Sequence, residues 1–298
     1  MINPRIDRST RVIVQGITGR AGRMHSRMMR DYGTTVVAGV SPASDGGNVD
    51  GVPVFTSCRN AVAATQAAAS VVLVAAEHLL GAIEEAVEAG IKLIVTPAEG
   101  MPVHDALRAR RLTQAAGATW IGASTPGIAV AGQAKLGFLP EASLAPGPLG
   151  LMSRSGTLSY ESGYRLAQRG IGTSVWVGVG GDPVKGTRFA ELAPFYAADA
   201  LTRALLVIGE IGGTEEEELA AALTAQRFAK PVFALIAGRS SPEGVTMGHA
   251  GALVHGSHGG YAAKKAALER AGVQVCASLD EMTEAIAAWH AAAPYNPT

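Results

Sequence analysis

Short apolar runs rich in β-branched residues recur along the chain. Each is followed by a turn of glycine or serine and then by a stretch with helical spacing. Runs near Arg11–Gln15, Thr35–Val40, Val71–Ala75, Lys92–Thr96 and Thr119–Gly122 predict strands. Ala21–Asp31, Leu79–Ala89 and His104–Ala116 predict helices between most of them. The run Val71-Val72-Leu73-Val74 is apolar on both faces, as a parallel strand covered by helices on both sides requires.

The pattern breaks between Pro126 and Pro148. Pro126, Pro140, Pro146 and Pro148 fall there among glycines. Proline removes a donor and fixes φ, so this stretch predicts a connector. The alternation then restarts, with strands expected at Leu149–Ser153, Ser174–Val179, Ala204–Ile208, Val232–Ala237 and Val273–Cys276. Helices are expected at Thr157–Arg169, Thr214–Phe228, Tyr261–Ala271 and Asp280–Ala293. The reading is two α/β domains in tandem, residues 1–125 and 149–298, with 126–148 as linker. In such sheets ligands bind beyond the carboxyl ends of the strands, so the strand-to-helix turns are where chemistry is sought.

Composition narrows the classes. Apolar residues make up 48% of the 298, ample for packed cores and unlike a disordered chain. Lys+Arg and Asp+Glu both total 25, so no general polyanion-binding surface is indicated and no nucleic acid is expected. The two cysteines, Cys58 and Cys276, lack metal-type spacing and fit a reducing, cytoplasmic setting. The start at Met1-Ile2-Asn3-Pro4-Arg5 does not read as a secretory leader. No apolar span approaches the roughly 20 residues of a membrane crossing.

Three turns carry candidate chemistry. Gln15-Gly16-Ile17-Thr18-Gly19-Arg20-Ala21-Gly22 joins a strand to a helix start, where backbone N–H groups can meet a phosphate. Its glycines fall at 16, 19 and 22, whereas the dinucleotide fingerprint wants one at 18 and an acid after the second strand. Here that strand ends Val40-Ser41-Pro42, and the nearest acid is Asp45. The turn suits a phosphorylated nucleotide other than NAD; the same glycines would also serve a turn that only packs a helix on a sheet. In Ser153-Arg154-Ser155-Gly156-Thr157-Leu158, Ser155 and Thr157 can cap a helix whose N-terminus would favour an anion, or simply cap it. Arg154 could pair with a carboxylate or phosphate, or form a surface salt bridge.

The third turn is Met247-Gly248-His249-Ala250-Gly251. Flanking glycines leave the imidazole unshielded, free to serve as base, acid or nucleophile, although a histidine taken singly is more often structural or solvent-facing. His255 and His258 follow, but no cysteine or carboxylate joins them at metal-ligand spacing, so no metal is expected. Glu210, between glycines at the end of an apolar strand, could orient the His249 ring, cap a helix or make a structural ion pair. The run Glu215-Glu216-Glu217-Glu218 predicts a solvated first helical turn favoured by the helix dipole.

Taken together these blocks resemble the alpha subunit of succinyl-CoA synthetase, from about Ile6 to about Ala288. Besides the three turns, Glu99-Gly100, Gly178-Val179-Gly180-Gly181-Asp182-Pro183 and Ile208-Gly209-Glu210-Ile211-Gly212-Gly213 carry the likeness. The resemblance implies a Rossmann-like CoA-binding domain followed by a flavodoxin-like domain. It implies phosphorylation of His249, with Glu210 as its orienting acid. It places coenzyme A at Thr18, Gly19, Arg20, Ala21 and at Pro97, Ala98, Glu99. It places phosphate at Ser155, Gly156, Thr157 and Leu158, and the acid substrate near Tyr160, Ser124 and Thr125.

Two departures bear on this. Ser44, in Ala43-Ser44-Asp45-Gly46-Gly47, stands where the family has a CoA-contacting lysine; Arg20 or Arg23 would compensate. Ala123-Ser124-Thr125-Pro126-Gly127 stands where the family reads Pro-Asn-Cys-Pro-Gly, and Pro97-Ala98-Glu99 where it reads Ile-Thr-Glu. These changes leave the identity of the acid open.

The implied chemistry is activation of a small carboxylic acid for the tricarboxylic acid cycle or a related route. ATP or GTP with Mg2+ on a beta subunit of ATP-grasp fold would phosphorylate His249, in a heterodimer or heterotetramer. An acyl phosphate and then an acyl-CoA would follow. No Gly-x-x-x-x-Gly-Lys-Ser/Thr loop is present in this chain, in keeping with a nucleotide held elsewhere. Two rivals stand beside this reading: a catalytically silent CoA-binding sensor, and an NAD(P)-dependent oxidoreductase drawn from the first glycine turn.

Overall fold

The computed structural model describes residues 2–44, 46–241, 249–254 and 259–292. The first sheet holds seven strands: β1 (Arg11–Gln15), β2 (Thr35–Val40), β3 (Asn48–Val49), β4 (Val52–Phe55), β5 (Ala69–Val72), β6 (Leu93–Thr96) and β7 (Thr119–Gly122). Their order is β3-β4-β2-β1-β5-β6-β7, all pairs parallel except β3 with β4. Without the short β3 this is the doubly wound 3-2-1-4-5-6 order, which reverses between β1 and β5. Helices α1 (Arg20–Tyr32), α2 (Cys58–Thr65), α3 (Leu79–Glu88) and α4 (Val103–Ala115) connect the strands. α1 stops at Gly33, whose φ of 115° is a left-handed cap that glycine adopts without penalty.

The second sheet takes β8 (Gly127–Val130), β9 (Ala134–Gly137), β10 (Pro146–Ser153), β11 (Thr173–Gly178), β12 (Ala204–Glu210), β13 (Val232–Ala237) and β14 (Gln274–Cys276). Its order is β14-β13-β12-β10-β11-β8-β9. The five parallel strands alone follow the flavodoxin order 2-1-3-4-5, which reverses between β10 and β12. The helices are α5 (Gly156–Gln168), α6 (Phe189–Ala198), α7 (Glu215–Ala225), α8 (Tyr261–Arg270) and α9 (Leu279–Ala292). Every residue of β12 is buried, as expected for a strand covered on both faces.

The stretch 126–148, expected as a linker, instead carries the β8–β9 hairpin, antiparallel to β11 with Ile128 opposite Val177. Its prolines sit outside both hairpin strands or at the start of β10, so they cost the ladder little.

The hairpin also docks on the first sheet's side of the molecule. Thr34 Oγ1 donates to Lys135 O at 2.7 Å, and Gly132 N donates to Tyr32 Oη at 2.9 Å. Arg110 of α4 adds a clamp, donating to Lys185 O and Gly186 O at 2.8 and 2.9 Å. One apolar core runs through both halves, including Val12 and Val14 of β1 with Val175 and Val177 of β11. No helix among the described residues is long and apolar enough to cross a membrane.

Candidate active site

The reversal point of the second sheet lies between the turns that follow β10 and β12. Arg154 leaves the first turn and Glu210 ends the second strand, so the fold itself brings them together. Arg154 Nη2 lies 2.9 Å from Glu210 Oε1, within ion-pair reach but not aligned as a hydrogen bond. The other oxygen, Oε2, meets His249 Nδ1 at 2.7 Å. Glu210 is buried, its side chain only 7% exposed, whereas the His249 side chain is 27% exposed. The imidazole thus reaches from a buried anchor toward solvent.

The hydrogen bond to Glu210 is the main cause that raises the His249 pKa above its ordinary value. Desolvation and the charges of Arg154 and Lys185 pull the other way. A carboxylate on Nδ1 assigns the proton there and leaves Nε2 with a free lone pair.

Backbone packs against the ring. A Cβ on Gly181 would fall 2.4 Å from His249 Cγ, so only glycine lets the chain lie flat on the imidazole here. From Gly181 a short relay leads into the first sheet's turns. Gly181 N donates to Ser124 O at 3.3 Å, and Ser124 N donates to Ala98 O at 2.8 Å. Asp182 accepts from Gly100 N and Met101 N, each at 3.2 Å to Oδ2. The structure therefore gathers Ala98, Ser124, Gly181, Asp182, Glu210 and His249 where the carboxyl ends of β6, β7, β11 and β12 converge.

The acidic run is not the solvated turn that was expected. Glu215 and Glu216 are buried at the start of α7. Lys185 Nζ meets Glu215 Oε2 at 2.8 Å. Lys264 Nζ pairs with Glu216, and with Glu217 at 3.0 Å. Arg154 Nη1 lies 3.4 Å from Glu216 Oε1. Arg154 is likewise buried rather than on the surface. Sequence reasoning missed the two lysines because partners 30 and 48 positions away leave no local signature.

Other expected residues divide. Ser155 caps α5 by accepting Leu158 N at 3.3 Å, so the first free amides of that helix face the turn. Thr157 is exposed and places no capping contact there. The position of a Gly156 Cβ would be 3.5 Å from Tyr160 Oη, so the phenol lies over the helix start. Burial pushes that phenol up to about 12. Thr125, expected beside the acid substrate, has a hydroxyl that donates to Gly178 O and accepts from Gly127 N. It is buried and helps to hold β8. Ser124 is half-buried, and its hydroxyl makes no hydrogen bond among the described residues.

Thr18, Gly19, Arg20 and Ala21 sit apart, at the reversal point of the first sheet. Gly16 has φ 79°, and a Cβ there would strike Leu73 O at 2.4 Å. Gly19 precedes α1 with no side-chain cap, leaving its first amides free. A cleft of about 430 Å³ opens beside this turn, lined by Gln15, Gly16, Ser41, Val74 and Glu85 among others. Arg23 Nε donates to Thr18 O at 3.1 Å, which folds that cation back over the turn. Arg27 and Arg30 are instead engaged by Asp50. Ser44 follows β2 on the same edge and offers no charge. Pro97 is buried and Glu99 exposed after β6. Free amides, a glycine cradle and the exposed Arg20 beside Arg23 fit an extended, polyphosphorylated ligand such as coenzyme A.

No group of three or more His, Cys, Asp or Glu among the described residues could hold a metal ion. His255 and His258 lie outside the described residues.

Residues 7–100 match the family model of a CoA binding domain, and residues 152–274 that of a CoA-ligase. The chain is 43% identical over 281 residues to a succinate–CoA ligase [ADP-forming] subunit alpha 1 of Archaeoglobus fulgidus. That match covers 94% of this chain and 96% of the relative. It is 44% identical over 273 residues to an ADP-forming sulfoacetate-CoA ligase subunit of Bilophila wadsworthia, covering 91% and 93%. In solved structures the fold recurs in ATP citrate lyase from Methanothrix soehngenii, in complex with citrate and coenzyme A, with a TM-score of 0.88 at 22% identity. That match covers 98% of this chain and 52% of the other, so the chain spans about half of that longer polypeptide.

Proposed function

The chain belongs to the family of ADP-forming acid–CoA ligases as an alpha subunit, and on that premise we propose that His249 carries a phosphoryl group to a short carboxylic acid. The observation that carries the reading is the 2.7 Å pair between His249 Nδ1 and buried Glu210. A hydroxide-like leaving group blocks direct attack on a carboxylate, so its oxygen must first be phosphorylated.

In the first step Nε2 attacks the γ-phosphorus of ATP held by a beta partner, and the bond to the departing ADP oxygen breaks. Glu210 holds the Nδ1 proton throughout and stabilises the positive ring that forms. In the second, a substrate carboxylate oxygen takes the phosphorus and the N–P bond breaks, which restores the neutral ring. The capped start of α5 presents free amides and a partial positive charge that favour the anion in transit. Coenzyme A, when bound, supplies the thiol that displaces phosphate from the acyl carbon. Thr18–Ala21 and Pro97–Glu99 would hold it, with Arg20 and Arg23 in place of the lysine that Ser44 replaces. Ala98, hydrogen-bonded to Ser124, brings the second of these segments to the imidazole's neighbourhood.

The partner is read as an ATP-grasp beta subunit and the setting as the cytoplasm. The two kinds of named relative act on succinate and sulfoacetate, short acids that each bear a second anionic group. We take that class as the substrate, with Ser124 and Tyr160 facing it. Relatives spanning over nine-tenths of the chain are CoA ligases, which removes support from the oxidoreductase reading.

The test uses the complex with its beta partner and γ-labelled ATP. An acid-labile label on the alpha chain, lost in His249→Ala, supports the reading. A complex that forms acyl-CoA at full rate with His249→Ala refutes it. A chain that binds CoA but never takes label is the silent sensor. A panel of C2 to C6 carboxylic acids with sulfoacetate then identifies the acid.

A further inference from the structure

We propose that Arg154 is a positioning residue for the transfer, dividing the two oxygens of Glu210 so that one is held by the guanidinium and the other faces His249. The proposal rests on the phosphohistidine reading of His249.

Arg154 grips Glu210 by side chain and by backbone. Its Nη2 lies 2.9 Å from Oε1, while Nη1 donates to Glu210 O at 3.1 Å and to Gly212 O at 3.0 Å. That leaves Oε2 for the imidazole. The same guanidinium lies 3.4 Å from Glu216 Oε1, which accepts Glu210 N at 3.0 Å. Both the carboxylate and the peptide groups around residue 210 are therefore referred to one planar cation. A planar fork can do this where a point ammonium cannot.

A bland alternative is that Arg154 only neutralises a buried acidic cluster. The distribution of partners argues otherwise. Arg154 also lies 3.4 Å from Glu216 and 3.8 Å from Glu215, but each of those acids has a nearer cation: Lys185 meets Glu215 at 2.8 Å, and Lys264 pairs with Glu216 and Glu217. Arg154 is the cation placed on Glu210 itself. Position adds to this, since residue 154 directly precedes the Ser155 cap of α5. The acid that aims the ring and the helix that receives the anion are thus fixed by neighbouring residues of one turn.

Charged groups reach His249 from three elements: Glu210 from β12, Arg154 from the turn after β10 and Lys185 from the loop after β11. Both cations oppose protonation of the ring. Removing Arg154 therefore moves the acid limb of the labelling rate to higher pH, which loss of a merely structural contact would not do.

The experiment measures the rate of His249 labelling against pH in the complex with its beta partner, for Arg154→Met, Arg154→Lys and Arg154→Met/Glu216→Gln. CoA affinity is measured alongside. The double variant removes one buried charge of each sign, so it reports on position where the single variant fails to fold. Arg154→Met is expected to slow labelling by roughly 100-fold, the scale of a small misplacement of a reacting group. Arg154→Lys should recover part of that rate and most of the pH profile. CoA affinity should stay unchanged, and the double variant should remain slow with its acid limb raised. Wild-type labelling and an unshifted acid limb in the double variant would overturn the proposal in favour of charge balance. An unaltered complex that takes no label would refute the phosphohistidine reading, and this proposal with it.

Discussion

The α-carbon of Gly181 lies against the face of the His249 imidazole, so close that a methyl group there would meet Cγ at 2.4 Å. The loop after β11 thus forms one wall of the ring's slot, and Glu210 forms its anchor. Gly181→Ala should force the ring to turn or shift. We expect labelling to fall by roughly 100-fold, with about 1–3 kcal/mol lost in stability from overpacking. Labelling kinetics and thermal melting of the same preparation check both figures.

The phosphorylation rate should depend on pH through His249. The ring attacks only with Nε2 unprotonated, and the hydrogen bond to Glu210 raises its pKa above the ordinary value. Activity is therefore lost as pH falls through a point above about 6.5. Glu210→Gln removes the chief raising cause, so its acid limb should move to lower pH even as the maximal rate drops. A Glu210→Gln limb at or above the wild-type position would contradict this.

At the CoA turn, Ser44→Lys should tighten CoA binding by up to about fivefold, the worth of one exposed charge pair. Arg20→Met and Arg23→Met should each weaken it by a similar factor. Arg27→Met should leave it alone, because Arg27 is already paired with Asp50 at 2.8 Å. Calorimetric titration of the four variants with CoA separates these three outcomes.

Thr125 and Ser124 should separate stability from specificity. Thr125→Val leaves Gly178 O and Gly127 N without their partner, at a cost of about 1–3 kcal/mol. Its effect should appear in the melting temperature. Ser124→Ala removes a hydroxyl with no such duty, so it should change KM for the acid while the melt stays put.

Lys264 is fully buried among Glu216, Glu217 and Gly213 O. Lys264→Met leaves buried Glu216 with only its longer contact to Arg154 and should cost about 3–5 kcal/mol by denaturant unfolding. Lys265, exposed and 3.7 Å from Glu269, should cost under about 1 kcal/mol on the same change.

Much of this fold could be read from the chain, because parallel strands buried on both faces leave continuous apolar runs. β1, β2, β12 and β13 announce themselves in this way. The Glu210–His249 pair could be anticipated because each stands between glycines at a turn. α6 was not visible, since Pro194 interrupts a segment that is apolar nearly all round and has no clear face. The β8–β9 hairpin was hidden by prolines that flank it. The burial of Glu215 and Glu216 is hidden for a different reason: four glutamates in a row look solvated until the fold supplies Arg154, Lys185 and Lys264 from distant positions. Arg154 showed only as a cation between two serines, and nothing local indicated which acid it would grip.

The hairpin that joins β11 while gripping Thr34 and Tyr32 has a consequence for dissecting the molecule. A fragment begun at residue 149 would keep the five parallel strands yet bare the flank of β11, along with the surface that meets β7. Unpaired strand flanks of this kind recruit copies of themselves. Such a fragment should precipitate or associate instead of behaving as an independent half, and the intact chain should melt in a single cooperative step.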